Sequence, residues 1–555
     1  MKIREKLLLV LIVVIGFFFR TYNLNWDANF HLHPDERFLT MVGNAMTLPD
    51  NFMQYLDSKN STFNPANIGF EFFVYGLFPI ILNKILALML NNDNYNAFTL
   101  QGRFFSALAD TIVILLIYKS VKLLEDKYKL NSNVKYLASF SYATFVLPIQ
   151  LSHFFITDTF LNLFLFSSFF FALSYFIKRS SANLIISAIF FGLSISTKIS
   201  AIYLLPLILS LLITPAGSLK KSLLRFVGNV FLFGIISFFI SKLAYPYMYY
   251  SSNIFDPRLN PDFLKNINTL KILSQKTSIY PPNIQWINKI PIIFPLKNLI
   301  LFGIGIPAFI LFVAGLVNTA KIRAGIIFSL FAFWIVIFFI YQGTQTVMTL
   351  RYFLIIYPFI AIFVGIGLDQ LTRKINKIAF YLLLIAMFIS PLMFLSIYTK
   401  PHTRTSATNW ILENIPYGAT LLTEHWDDSL PLTGYQNYKV IQLPVFDQDT
   451  DGKWKKMTDS LSQGDYYILS SNRAWGSISR APEKYPRIAK FYKDLFYGKL
   501  EYKKIKEFTS YPSLSYLGIP ITFPDDFAEE NFTVFDHPKV MIFKKTIINS
   551  FLQEQ

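Results

Sequence analysis

The 555-residue chain contains no cysteine, which excludes disulfides and thiolate metal sites from its architecture. Charge is scarce as well. Only 15% of the residues are Asp, Glu, Lys or Arg, against roughly a quarter in a soluble globular protein. Acid is scarcer than base, 34 residues against 51, leaving a formal net charge of +17. No basic stripe is interleaved with aromatics in a soluble segment, which argues against nucleic acid as the partner of that charge. There is no internal repeat and no low-complexity tract. The first apolar run is not followed by a small-residue cleavage site, so it reads as an uncleaved helix.

What is abundant is apolar. The chain is 53% hydrophobic and 17% aromatic, and these residues come in long blocks rather than on one face of a period. Ala324 to Ile340, for example, carries no charge. Such blocks are helices solvated by lipid. The basic residues fall between them, as in the inner loops of a membrane protein. Lys2, Arg4 and Lys6 precede the run Leu7 to Phe19 and put the N-terminus in the cytoplasm. Lys119–Lys135, Lys178–Arg179, Lys220–Lys221–Arg225, Lys321–Arg323 and Arg373–Lys374–Lys377 mark the later inner loops. Eleven spans satisfy this alternation: about 7–21, 103–118, 136–151, 159–177, 182–197, 199–216, 225–243, 298–318, 324–341, 351–368 and 378–397.

The expected fold is thus a polytopic α-helical membrane protein, residues 1–397, followed by an extracytoplasmic mixed α/β domain, residues 398–555. In that domain Ala407–Asn414 reads as a helix, and Ala419–Thr423, Tyr466–Ser470 and Val540–Phe543 read as strands. Long external loops are expected at about 22–102 and 244–297. The apolar block Phe72 to Leu90 carries Pro79 and a central Asn83–Lys84. It reads as an interfacial or re-entrant helix inside the first loop, because a span there would put the basic 119–135 loop outside.

Function is sought in the long loops. Near the start of the first one stand His31-Leu32-His33-Pro34-Asp35-Glu36-Arg37-Phe38. Paired carboxylates flanked by His and Arg, just beyond a membrane helix, suit general-base chemistry. The same residues also suit a plain helix start, with Pro34 early and two acids at the positive end of the dipole. Asp158 lies in a short external loop near His153, and Asp110 lies inside an apolar run, where an acid needs a partner. Arg103, two turns earlier on the same face, is the expected partner. Lys198 and Arg351 sit at outer ends of spans, where snorkelling cations are also common. His31 and His33 alone make a weak metal signal.

These motifs resemble the GT-C class of lipid-carrier-dependent glycosyltransferases, which includes the protein O-mannosyltransferases and the bacterial aminoarabinose transferase of lipid A. Asp35-Glu36-Arg37-Phe38 after one N-terminal helix is similar to the class's Asp-Glu motif. The resemblance continues through Gly102-Arg103-Phe104-Phe105-Ser106-Ala107-Leu108, Thr157-Asp158, Thr197-Lys198 and Arg351-Tyr352 with Pro358. It implies transfer of a hexose or pentose from a polyprenyl-phosphate carrier to an acceptor on the outer face, with inversion. By the same resemblance Asp35, Glu36 and Asp158 are the catalytic candidates, and Arg103, Lys198 and Arg351 bind the donor phosphate. His33, His153 and Asp110 are candidates for orienting the acceptor. No cofactor is called for, and a divalent metal is left open. The inner loops are too short to fold a nucleotide-sugar domain, as a lipid-linked donor requires. The rival reading, a transporter or flippase for lipid-linked substrates, expects mid-membrane acids and inverted repeats.

Overall fold

The computed structural model describes residues 3–213, 218–276, 280–319, 325–432 and 437–546. The basic loop expected at Lys321–Arg323 lies outside these. The segments expected to span fall largely on helix, apart from the end of 199–216, which lies outside the described residues. Among the described residues six helices, or seven if one bent pair counts as a single span, are long and apolar enough to cross a bilayer, fewer than the eleven expected. Helix α1, Ile3–Thr21, opens the chain, and helix α2, Pro34–Ala45, follows in the first loop. The expected span 103–118 is the middle of a much longer helix, Tyr95–Tyr128. The expected span 136–151 is interrupted, as Val134–Ala143 and Val146–Ser152.

The expected continuous span 298–318 needs correction. Ile293–Ile304 and Ile306–Thr319 meet at a bend of 110°. Gly305 makes the break, with φ at +87°, a conformation that only glycine adopts without strain. Phe78–Met89, inside the apolar block of the first loop, is a 12-residue helix. At about 1.5 Å per residue it reaches about 18 Å, well short of a hydrocarbon core of about 30 Å. Its Lys84 pairs with Asp93 at 2.6 Å, which satisfies the buried ammonium.

The C-terminal domain is a mixed five-stranded sheet in the order β2-β1-β3-β5-β4. The strands are β1 Thr420–Glu424, β2 Lys439–Leu443, β3 Tyr466–Leu469, β4 Tyr502–Phe508 and β5 Val540–Lys545. Strand β1 is parallel to β2 and β3, whereas β5 is antiparallel to β3 and β4. Strands β2 and β4 escaped the sequence reading because both are edges. Most of their side chains face water, and the lysines of β4 suit an edge that must not pair further.

The domain is fastened to the bundle by its own tail. Ala528, Phe532, Val534 and Phe535 join the hydrophobic core formed by the membrane helices. Asp536 accepts from Gln150 Nε2 at 3.0 Å and from the Tyr398 hydroxyl at 2.9 Å. Behind it His537 lies between two carboxylates, Asp536 at 2.5 Å and Asp525 at 2.8 Å. Burial pushes the His537 imidazole down, but the two carboxylates outweigh burial and push it up to about 10. A histidine raised above its unfolded value of 6.5 stabilises the fold fully below that pH, and the contribution fades as pH rises towards 10. The thermal midpoint of the purified protein is therefore expected to fall across that interval. His537→Asn should start lower at neutral pH and lose that dependence, and an equal slope in the variant would remove His537 as the source.

Candidate active site

Helix α2 begins where the sequence places its caps. Pro34 occupies the first turn, and the N-cap His33 accepts the Glu36 N–H on Nδ1 at 3.3 Å. The His33 ring is enclosed between Phe154 and Phe535, with centroids 4.5 and 4.2 Å away, and burial pushes its imidazole down to the neutral form that can accept. It therefore caps the helix and does not open on a substrate. His31 is engaged by Asn96 at 2.8 Å and Thr99 at 3.2 Å. Among the described residues no group of three or more His, Asp or Glu is assembled for a metal ion.

The two adjacent acids separate at once. Glu36 points inward and is fully buried. It accepts from Arg103 Nε at 2.9 Å and from the Phe155 N–H at 2.7 Å. Arg103 is 1% exposed and is also held by Asp27, at 3.0 and 2.7 Å, and by the Leu24 carbonyl at 2.6 Å. Its guanidinium lies over the Trp26 ring at 4.8 Å. Gly102 makes room for this arrangement, since a Cβ there would meet the Phe155 ring at 2.3 Å. Arg103 therefore has no free face for a donor phosphate, and it is not the partner of Asp110. That acid pairs with Arg20 at 2.7 Å and accepts from the Tyr142 hydroxyl at 2.5 Å, deep in the bundle. His153 is likewise enclosed, stacked on Tyr398 at 4.0 Å with its nitrogens facing the Ile149 and Tyr22 carbonyls. Burial pushes its imidazole down to about 4.

Asp35 turns the other way. It pairs with Arg351 and accepts from the Tyr75 hydroxyl at 3.0 Å. Burial pushes the Asp35 carboxyl up, but Arg351, His33 and the hydrogen bonds outweigh it and hold it well below the usual carboxylate range. Beside this pair is a second one, Lys198 with Asp158 at 2.8 Å. The Tyr352 ring lies between them, with Lys198 Nζ 4.8 Å and Arg351 Cζ 5.5 Å from its centroid. Exposure separates the two kinds of ion pair. Asp35, Arg351 and Lys198 keep 22%, 21% and 23% of their side-chain surface and Asp158 keeps 7%, whereas Glu36 and Arg103 keep 0% and 1%. Arg351 also holds a buried Nε without a hydrogen-bond partner among the described residues.

Distant elements hold these groups in place. Gly76 presses the first loop onto the end of helix Ser181–Thr197, where a Cβ would lie 1.9 Å from the Thr197 carbonyl, next to Lys198. The turn that carries Arg351, Leu350–Ile356, is capped from the C-terminal domain. Glu529 accepts the Leu350 N–H and the Thr349 hydroxyl, each at 3.0 Å. Burial pushes Glu529 up to about 7 against those hydrogen bonds. Sequence reasoning missed this residue, because an acid in a charged tail looks solvated. The signal was its position between Phe527 and Phe532. Arg37, next to the Asp-Glu pair, reaches the same domain through Asp428 at 2.8 Å.

Residues 82–241, which contain Arg103, Asp158 and Lys198, match the family model of dolichyl-phosphate-mannose-protein mannosyltransferases. No curated protein sequence matches the chain. Among solved structures, the oligosaccharyltransferase of Archaeoglobus fulgidus tethered to an acceptor peptide is 12% identical, with a TM-score of 0.55 over 98% of this chain and 89% of that one. The same archaeal enzyme with an inhibitory peptide and a dolichol-phosphate gives 12% and 0.54 over 98% and 88%. The ArnT protein of Cupriavidus metallidurans bound to undecaprenyl phosphate gives 12% and 0.49 over 98% of each chain. At such identities the likeness is one of fold. The chain is a polytopic membrane protein similar to the GT-C glycosyltransferases, as its short motifs imply.

Proposed function

We propose that this membrane protein of GT-C-like fold moves a hexose or pentose from a polyprenyl-phosphate donor to an acceptor hydroxyl or amine on the outer face of the membrane. The observation that carries the reading is the half-open Asp35–Arg351 pair, with an unused arginine donor, beside Lys198–Asp158. The acceptor oxygen or nitrogen attacks the anomeric carbon from the face opposite the phosphate. The bond from that carbon to the phosphate oxygen breaks, the electron pair leaves with the polyprenyl phosphate, and the configuration inverts. Asp35 takes the acceptor proton. Arg351 and Lys198 meet the charge that grows on the phosphate, where fixed cations act most strongly. Asp158 orients Lys198, and the buried Glu36–Arg103–Asp27 cluster positions the start of α2.

The pairing of base with phosphate ligand gives an order of events. While Arg351 faces Asp35, the carboxylate is a weak base. A donor phosphate that takes Arg351 removes that restraint and makes Asp35 more basic once the donor is in place. Radiolabelled polyprenyl-phosphate sugars, incubated with the purified protein in nanodiscs, should be consumed. Arg351→Ala should weaken donor binding at least tenfold, while Lys490→Ala on the C-terminal domain leaves it unchanged. Unchanged donor affinity in Arg351→Ala would sink the phosphate assignment.

The sidedness belongs to the same proposal: N-terminus in the cytoplasm, loop 22–102 and the domain after about residue 397 outside. The Arg37–Asp428 contact between that loop and that domain supports a shared side. Because the chain lacks cysteine, single cysteines report cleanly. Asn60→Cys and Ser462→Cys should react with an impermeant thiol reagent in intact cells, and Ser132→Cys should not. Labelling at 132 instead would invert the topology.

A further inference from the structure

A second concavity opens on the first loop, a cavity of about 500 Å³ between residues 58–73 and the loop that begins at Tyr245. That volume lies in the roughly 300–1,000 Å³ range of small-ligand sites. Its floor is aromatic, with Phe73 and Phe263 buried at 5% and 9% exposure. Its polar groups are mostly acceptors. The Asn67 side chain spends its amide on the Ser58 and Ser61 carbonyls, and Asn266 donates to the Glu71 carbonyl at 2.8 Å. Each of those amides thus keeps a carbonyl oxygen without a hydrogen-bond partner among the described residues. The Glu71 and Asp262 carboxylates line the cavity, exposed and outside any ion pair among those residues. Tyr245 is 5% exposed and lines it too, with a hydroxyl that makes no hydrogen bond among the described residues. Among the described residues Lys59 is the one cation in the lining.

Rigid acceptors and two carboxylates against a single ammonium repel an anionic ligand and call for one rich in hydroxyl donors. An aromatic floor suits the C–H face of a sugar ring. One residue of its floor also neighbours the candidate active site: the Phe73 ring lies 6.0 Å from that of Tyr75, whose hydroxyl donates to Asp35. We propose that this cavity is a subsite for a neutral, hydroxyl-rich saccharide carried by the acceptor. The acceptor is then a glycan rather than a bare peptide. The assignment of that saccharide to the acceptor rests on the transferase reading above, but its binding can be read without turnover.

Three neutral trisaccharides, built from glucose, mannose and galactose, are titrated into the full-length protein in nanodiscs and followed by saturation-transfer NMR. At least one should bind the wild type. The double variant Glu71→Gln/Tyr245→Phe, nearly isosteric at both positions, should weaken that binding at least tenfold. No binding by any of the three, or equal binding by the double variant, would overturn the subsite. So would a Ser/Thr-rich peptide that occupies the cavity where the sugars do not. Donor loss by the wild type is measured separately. If trisaccharides bind as expected but no donor is consumed, the transferase reading fails and the saccharide site stands.

Discussion

Asp35→Asn should lose a hundredfold or more in turnover while still binding the donor. A positioned general base contributes roughly 10²–10⁴ in rate, and asparagine keeps the shape while removing the basicity. The variant also frees Arg351 from its counter-charge, so donor affinity should hold or rise. Thus kcat and binding move apart, which a merely structural role for Asp35 would not produce. Glu36→Gln makes a poor imitation of this result, because Glu36 faces Arg103 and the Phe155 N–H, away from the accessible side. Its effect should fall on folding. Single-turnover rates of the two variants against equilibrium donor binding decide the matter. Turnover by Asp35→Asn within a few-fold of wild type would remove it as the base and make Asp158 the leading candidate.

Arg103→Leu should destabilise the protein by about 3–5 kcal/mol, the usual consequence of removing one member of a buried ion cluster. Asp27 and Glu36 would be left as two buried carboxylates with their shared cation gone. Asp27→Asn/Glu36→Gln added to Arg103→Leu should recover part of the loss, because the orphaned charges go with the arginine. Thermal unfolding in detergent, followed by size exclusion, reads the effect. A stable Arg103→Leu protein with weakened donor binding would contradict it and return Arg103 to the phosphate.

The sequence was most legible where a charged residue stands at the edge of an apolar run. Asp35, Asp158, Lys198 and Arg351 were picked out by position together with the resemblance of their motifs, and the fold brings all four together. Pairing was not legible, because buried charges choose partners by three-dimensional proximity. Arg103 lies two turns from Asp110 on one helix, yet its partners come from the first loop, and Asp110 takes Arg20 from 90 residues away. The helix break was not read, although its residues are in the sequence. Gly303, Gly305 and Pro307 follow one another in the expected span 298–318, and the bend falls at Gly305. Strands at the sheet edge carry too few apolar residues to announce themselves, which hid β2 and β4.

The cap that Glu529 places on the Leu350–Ile356 turn has a consequence for the order in which the chain is made. When Arg351 leaves the ribosome, the N–H of Leu350 and the hydroxyl of Thr349 have not yet met the residue that accepts from them. Another 178 positions must be synthesised before that residue arrives. The turn that presents the guanidinium therefore gains its cap long after the helices on either side of it have been made, because the cap is supplied by a residue far downstream.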